Sequence, residues 1–343
     1  MVKKRTTIKT LAEALGLSTS TVSRALSGHA DVSLSTKEKV QQLAVELNYF
    51  PDPVAVSLKS GQTRVIGGIV PQLVNLFFSK ALDGIQQIAN ANNYNILIAQ
   101  SRESVELEKQ NVEAMLARNV DGLIVSISKE TVATDHFSSI LKSSIPIIFF
   151  DRIPEDIHSS RVVIDDYEAS YRAVEHLIKQ GCKRIAHTAG PPNLFNSRKR
   201  LEGYKNALRD NGLVLDKRLI VFYSYQPGQV FNDVRYLLNL KDRPDGIFAV
   251  NDVAAMEMIH HIKTEGLHIP QDIAVVGFNN DPTGEFTEPP LSTVNSPALE
   301  LGKEAAGLLL AHINDDSLAT ESKTIKSELI IRQSSLKRFA QRA

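Results

Sequence analysis

Cysteine occurs once in the 343 residues, as Cys182. A lone thiol closes no internal disulfide, so the expected setting is a reducing cytoplasm. Long apolar runs are missing too: no stretch approaches the roughly 18 unbroken apolar residues of a membrane span. The opening Met-Val-Lys-Lys-Arg has the positive start of an export signal but no apolar segment behind it. Catalytic signatures are equally scarce. No G-x-G-x-x-G follows an apolar strand, and neither G-x-x-x-x-G-K-[ST], G-x-S-x-G nor H-E-x-x-H occurs. His260 and His261 are adjacent, so on a helix they point in different directions and lack metal spacing. Cys182 sits in a Gln180-Gly181-Cys182-Lys183 turn with no base assigned to it. The expectation is a protein that is not an enzyme and holds no cofactor or metal.

What is present is concentrated near the start. Ile8, Leu11, Ala12 and Leu15 recur at helical spacing and run into Gly16. A Ser/Thr cluster and a second short helix follow, with Val22, Ala25 and Leu26 inward. This is the pattern of a helix-turn-helix, whose second helix can lie in the DNA major groove. Its outward positions are Thr19, Ser20, Ser23 and Arg24, short hydrogen-bonding groups and one long cation suited to reading base edges. The competing interpretation is a small amphipathic helical hairpin with no DNA role. Net charge is zero for the chain, but residues 1–61 carry eight Lys/Arg against five Asp/Glu, a basic head of +3 on an acidic remainder. That is compatible with phosphate contact.

A third helix is expected after Val32, capped by Ser33 or Ser35, with Ser35 and Glu38 at capping-box spacing. Val40, Leu43, Ala44 and Leu47 would close a three-helix core with Leu11, Leu15 and Val22, and Pro51 ends the helix. Between Asp52-Pro53 and Gly61 lies a short segment with a cap, a first-turn proline and a stop signal. It is either a plain linker or a marginal helix that orders only against another surface.

From Thr63 onward apolar runs alternate with helical patterns. Strands are expected at 64–71, 95–100, 122–127, 145–150, 184–189, 219–223, 246–250 and 273–278. Helices are expected near 77–92, 105–118, 134–143, 167–180, 197–212, 228–239 and 252–266. The fold class is therefore a small all-α helix-turn-helix head plus an α/β body of doubly wound parallel sheets. The body repeats itself: 25 residues separate Asp121 from Pro146, and 25 separate Asp245 from Pro270. Two related subdomains facing each other across a cleft follow, with ligand beyond the carboxyl ends of the strands. Polar groups collect at those ends: Ser126 and Ser128, Asp151-Arg152, Asn196, Arg198 and Arg200, Asn251-Asp252, and Asn279-Asn280-Asp281. With Phe77, Phe78 and Tyr225 they offer aromatic faces and paired donors and acceptors, equipment for a polyol or sugar. Each alone could instead be a cap or a turn.

The run Thr7-Ile8-Lys9, Ser18-Thr19-Ser20-Thr21-Val22-Ser23-Arg24-Ala25-Leu26, Val32-Ser33, Leu47-Asn48-Tyr49-Phe50-Pro51 and Ala55-Val56-Ser57-Leu58 strongly resembles the lac repressor family (LacI/GalR type), and the likeness extends to about Arg332. The resemblance implies a clamshell body like that of periplasmic binding proteins, with crossovers near 162–165, 291–296 and 322–327. The domains would be a DNA-binding head (1–51), a hinge (52–62) and an effector-binding, dimerising body (63–343). Subdomain one of that body would take about 63–162 and 297–322, and subdomain two about 163–294 and 323–335.

Function follows from the same likeness. A homodimer would bind a pseudo-palindromic operator in double-stranded DNA, probed by Thr19, Ser20 and Arg24. Ala55 and Leu58 of the paired hinges would enter the minor groove, where an apolar wedge kinks the duplex. Phe77, Phe78, Ser126, Asp151, Asn196, Arg200, Tyr225, Asn251 and Asn279 would fall at the effector cleft. The chain departs from many relatives at Asn279, where an aspartate is usual, and from the lac repressor's own pattern at Ser296, where a glutamine stands. The expectation is a repressor controlled by a small molecule, a sugar or sugar derivative. With no heptad tail after Arg332, a dimer is expected rather than a tetramer. The alternative is a periplasmic-type sugar-binding protein with no DNA role, which would need an export signal and no head. A DNA-binding protein without ligand control would need neither cleft nor duplicated body.

Overall fold

A computed structural model describes residues 6–52, 55, 57, 61–143, 145–223 and 228–337. Contacts divide the chain into a head ending at Arg64 and a body beginning at Val65.

Three helices build the head: α1 (Ile8–Leu15), α2 (Thr19–Leu26) and α3 (Leu34–Glu46). Each begins on a hydroxyl. Thr7 accepts from the Thr10 N–H, Ser18 from Thr21 and Ser33 from Thr36, so each cap satisfies an otherwise orphaned amide. Ser33, not Ser35, caps α3, so Ser35 and Glu38 form no capping box. Gly16 ends α1 at φ 63°, a left-handed conformation that favours glycine. Leu11, Ala12, Val22, Ala25, Val40 and Ala44 form the core, with Leu15 and Leu43 packed against it. Leu47, expected inside, is 38% exposed because it lies one residue beyond the end of α3.

The body holds two lobes. In chain order its elements are β1 (Val65–Val70), α4 (Leu76–Ala91), β2 (Asn95–Gln100), α5 (Val105–Ala117), β3 (Gly122–Val125), α6 (Ser138–Leu141), β4 (Ile147–Phe150) and β5 (Ser160–Ile164). Then come α7 (Asp166–Lys179), β6 (Ile185–Ala189), α8 (Phe195–Asp210), β7 (Ile220–Phe222), α9 (Gln229–Leu238), β8 (Gly246–Phe248), α10 (Asp252–Thr264), β9 (Ala274–Phe278) and β10 (Ser292–Asn295). The last are α11 (Ala298–Asn314), β11 (Ser322–Ile325) and β12 (Glu328–Ile330). The helix expected over 134–143 is broken into a single 3-10 turn, Asp135–Phe137, and the four-residue α6.

One sheet runs β11-β5-β4-β3-β1-β2 and the other β12-β10-β9-β8-β6-β7. Strands 2-1-3-4-5 of the first correspond in order to 7-6-8-9-10 of the second, all parallel. The two lobes therefore share one topology over these five strands, the physical content of the 25-residue echo, and differ at the sixth, where β11 is parallel to β5 but β12 antiparallel to β10. The chain changes lobe three times: after β5, before α11 and between β11 and β12. β5 keeps residues 160–164 in the first sheet, and β11 pairs with β5 through Ile325, so the first and third changes fall within the expected stretches 162–165 and 322–327. Apolar clusters cover both faces of each sheet, as parallel strands require. On one face α4 and α11 approach very closely: a Cβ on Gly302 would lie 1.9 Å from the Ala81 carbonyl oxygen, and one on Gly84 2.1 Å from that of Leu299.

Candidate functional site

In the head, α2 presents Thr19, Ser20 and Arg24 to solvent, while Ser23 is half-buried. The Ser20 hydroxyl bonds to that of the capping Ser18 at 2.7 Å. Arg24 donates from Nη1 to Asp31 at 2.7 Å, with the two side chains 49% and 48% exposed. That hydrogen bond holds the Asp31 carboxyl below its usual range. Ala55 and Ser57 are helical, and the Gly61 N–H reaches the Ser57 carbonyl at 2.8 Å. Leu58 lies outside the described residues.

In the body, the carboxyl ends of both sheets converge on one cleft. A cavity of about 320 Å³ opens there, lined by Phe77, Asn251 and Asn279 together with Gln72, Asn75, Lys80, Tyr223 and Asp281. A smaller space of about 30 Å³ brings together Phe77, Phe78, Asp151, Asn196, Arg200, Asn251 and Asn279. Its position follows from the shared topology. Asp151 comes directly after β4 and Asn279 directly after β9, the equivalent strand of the other lobe, and both have positive φ, 56° and 107°. A non-glycine residue in that region turns the chain sharply at the strand end.

Most of the polar groups at these strand ends have a definite partner. Asn196 donates to Asp151 at 3.2 Å across the two lobes and accepts from the Ser197 N–H at 2.8 Å. Arg200 donates from Nε to Asp166 at 2.7 Å and from Nη1 to the Val250 carbonyl at 2.9 Å, with its guanidinium 3.6 Å from the centre of the Phe278 ring. Arg152 holds both oxygens of Glu103 at 2.9 and 2.7 Å. Asn251 caps α10, accepting from the Ala254 N–H, so it is a cap as well as a lining residue. Ser296 donates to Asn279 at 3.2 Å, which ties together the two positions where the sequence departs from its relatives. Burial raises the Asp151 carboxyl above its usual range against the pull of Arg152 and Arg200, and burial raises Asp166 and Asp252 to about 6.

Ser126 does not reach the cleft. It is fully buried one residue past β3, its N–H bonded to the Ile69 carbonyl, and its hydroxyl has no partner among the described residues. Phe78 lies deep, edge-on to Phe77 and Phe150, so it supports Phe77 more than it lines the opening. Arg198 turns outward to ion-pair with Glu155. Tyr225 lies outside the described residues, whereas Tyr223, which sequence reasoning passed over, lines the cavity. Also missed was Asn75, which caps α4 by accepting from the Phe77 N–H at 2.9 Å and brings the start of that helix to the cleft. An Asn two residues before the first aromatic of an apolar-periodic run was the available signal. Among the described residues no group of three or more His, Cys, Asp or Glu is arranged to hold a metal ion, and no helix is long and apolar enough to cross a membrane.

Residues 7–52 match the family described as bacterial regulatory proteins, lacI family, and residues 174–335 match the periplasmic binding protein-like domain. The HTH-type transcriptional repressor CytR of Escherichia coli (strain K12) is 32% identical over 330 residues, covering 96% of each chain. Among solved structures, the lac repressor dimer bound to operator and the anti-inducer ONPF superposes with a TM-score of 0.87 at 26% identity, over 97% of this chain and 100% of that one. The complex of the transcriptional regulator CelR with cellobiose gives 0.73 at 26% identity, over 96% and 100%. With a helix-turn-helix head, a two-lobed body of matching topology and similarity along nearly its whole length, the chain belongs to the LacI family of bacterial regulatory proteins.

Proposed function

We propose that this protein is a DNA-binding transcriptional repressor whose operator affinity is set by a sugar-class molecule in the cleft. The observation that carries the effector role is the convergence of Asp151 and Asn196 from opposite lobes beside the Phe77 ring, at the carboxyl ends of both sheets. An apolar face flanked by paired acceptors and donors suits a molecule with C–H faces and several hydroxyls. The cavity of about 320 Å³ accommodates such a ligand. Similarity to a regulator solved with cellobiose supports the same class.

In this reading Thr19, Ser20 and Arg24 contact bases, while Ala55 and Leu58 of two paired hinges enter the minor groove of a pseudo-palindromic site. Two copies of the chain are needed, because one head reads only one half-site. A ligand that binds one relative pose of the lobes more tightly shifts the population of that pose, and through it the operator affinity. The head distinguishes this from a stand-alone sugar-binding protein, which has no use for one.

The test is a thermal-denaturation screen of the full chain against mono- and disaccharides, followed by operator binding with any hit. A ligand confined to the folded state raises the midpoint with concentration. The expected result is a saturable increase that Asp151→Ala abolishes. A hit unaffected by Asp151→Ala, or no response across the panel, would contradict the assignment.

A further inference from the structure

The charges around the cleft are unevenly matched, and they bear on what the proposed effector can be. Arg152 and Arg200 are the guanidinium groups that an anionic ligand would be expected to use. Both are already engaged from within. Arg152 is held bidentately by the buried Glu103, and Arg200 by the buried Asp166, the Val250 carbonyl and the face of Phe278. Among the described residues, the Asp151 carboxyl beside them accepts from the Asn196 amide of the opposite lobe. The larger cavity adds Asp252 and Asp281 against Lys80. Among the described residues at the site, five carboxylates face three cations.

We infer that the cleft selects an uncharged polyol, one without phosphate or carboxylate, because its guanidinium groups are neutralised internally by Glu103 and Asp166; this rests on the effector role proposed for the cleft. An entering anion would meet a net negative field in a partly water-excluded space. To reach a guanidinium it would have to break a buried pair, stranding a carboxylate without compensation. A neutral hydroxyl group faces neither cost, since it can donate to Asp151 and accept from Asn196. Burial is the main cause of the raised pKa values of Asp151, Asp166 and Asp252, and neighbouring carboxylates add to it. Glu103 and Asp166 are positioning residues here: they act through the arginines and touch no ligand.

The experiment compares matched probes on the full chain: D-glucose, D-ribose and cellobiose, then glucose 6-phosphate, ribose 5-phosphate, glucuronate and inorganic phosphate. Denaturation midpoints and titration calorimetry are read at constant ionic strength. The wild-type protein should show no saturable response to any anionic probe. Glu103→Gln, which frees Arg152 while keeping an acceptor for the Lys129 N–H, should gain a response to at least one phosphate-bearing probe, tightened at least tenfold. Asp166→Asn does the same for Arg200 and serves if Glu103→Gln fails to fold. Wild-type binding of a phosphate or uronate more tightly than its neutral parent overturns the proposal. So does a folded variant pair that gains no anion response. If the variants gain phosphate binding but no neutral sugar binds the wild type, the charge assignment stands and the sugar-effector reading fails.

Discussion

Arg24 and His187 show how differently two cationic residue types are used in this chain. Arg24 is paired with Asp31 at the surface of the head, and an ion pair so exposed is readily exchanged for a better partner. A guanine edge, which accepts two parallel hydrogen bonds, is such a partner. Arg24→Ala should therefore relax base preference at one operator position by roughly 1–3 kcal/mol. Binding of wild type and variant to a set of singly substituted operators checks this. Equal weakening on every sequence would mean that Arg24 contacts phosphate instead.

His187 is fully buried in the second lobe, stacked on Tyr204 and Phe248 and hydrogen-bonded through Nδ1 to the Phe248 carbonyl. Burial lowers its pKa from 6.5 to about 4. The unfolded chain then binds the proton more readily, so this contribution to stability is fully present above pH 6.5 and is lost as pH falls towards 4. The shift corresponds to something on the order of 3 kcal/mol. Asp166 and Asp252, raised to about 6, act with the opposite sign in the overlapping window, gaining stability as pH falls through 6. Whole-protein melts thus partly cancel, and the useful quantity is a difference. His187→Phe should be less stable than wild type at pH 7.5, and that deficit should shrink by pH 5. Urea denaturation at both pH values tests this, and a constant deficit would contradict the assignment.

At the scale of elements, the closest helix contact is that of α4 with α11. Gly302→Ala has no room beside the Ala81 carbonyl, which is backbone and cannot rotate away. Overpacking of this kind costs roughly 1–3 kcal/mol, so the body should melt several degrees lower in calorimetry with its fold retained. Gly307→Ala, on the same helix with nothing within 4 Å of the added carbon, should have no such effect and serves as control.

The same elements show what a sequence can and cannot reveal. The eight strands expected from apolar runs are present within two residues at each end, because buried parallel strands need Val, Ile and Phe on both faces. β5, β10, β11 and β12 were not legible as strands: Ser322-Lys323-Thr324-Ile325 carries one apolar residue in four and is extended because β5 is beside it. The crossovers that the family resemblance implies near 162–165 and 322–327 coincide with the lobe changes after β5 and β11, although no residue pattern marks them. For the cleft, strand-end Asp and Asn residues were visible in advance, since polar groups terminating apolar runs stand out. Gln72 and Tyr223 were not, because their place depends on how one lobe faces the other. Ser126 failed for a related reason: one residue past β3 its backbone still pairs with β1, which keeps its side chain inside the lobe.

At the scale of the molecule, the proposed function divides between two units of the fold, DNA reading in the head and ligand binding in the body. The most direct test is selection of binding sites for the full chain from a random DNA library. The affinity for the winning sequence is then measured with and without a neutral sugar that raises the denaturation midpoint. The expected outcome is a pseudo-palindrome of two half-sites, bound by two copies of the chain, whose affinity changes at least tenfold on adding the sugar. Enrichment of no palindromic sequence, or a site whose affinity is indifferent to a ligand that demonstrably occupies the cleft, would contradict the claim that this protein is an effector-controlled repressor.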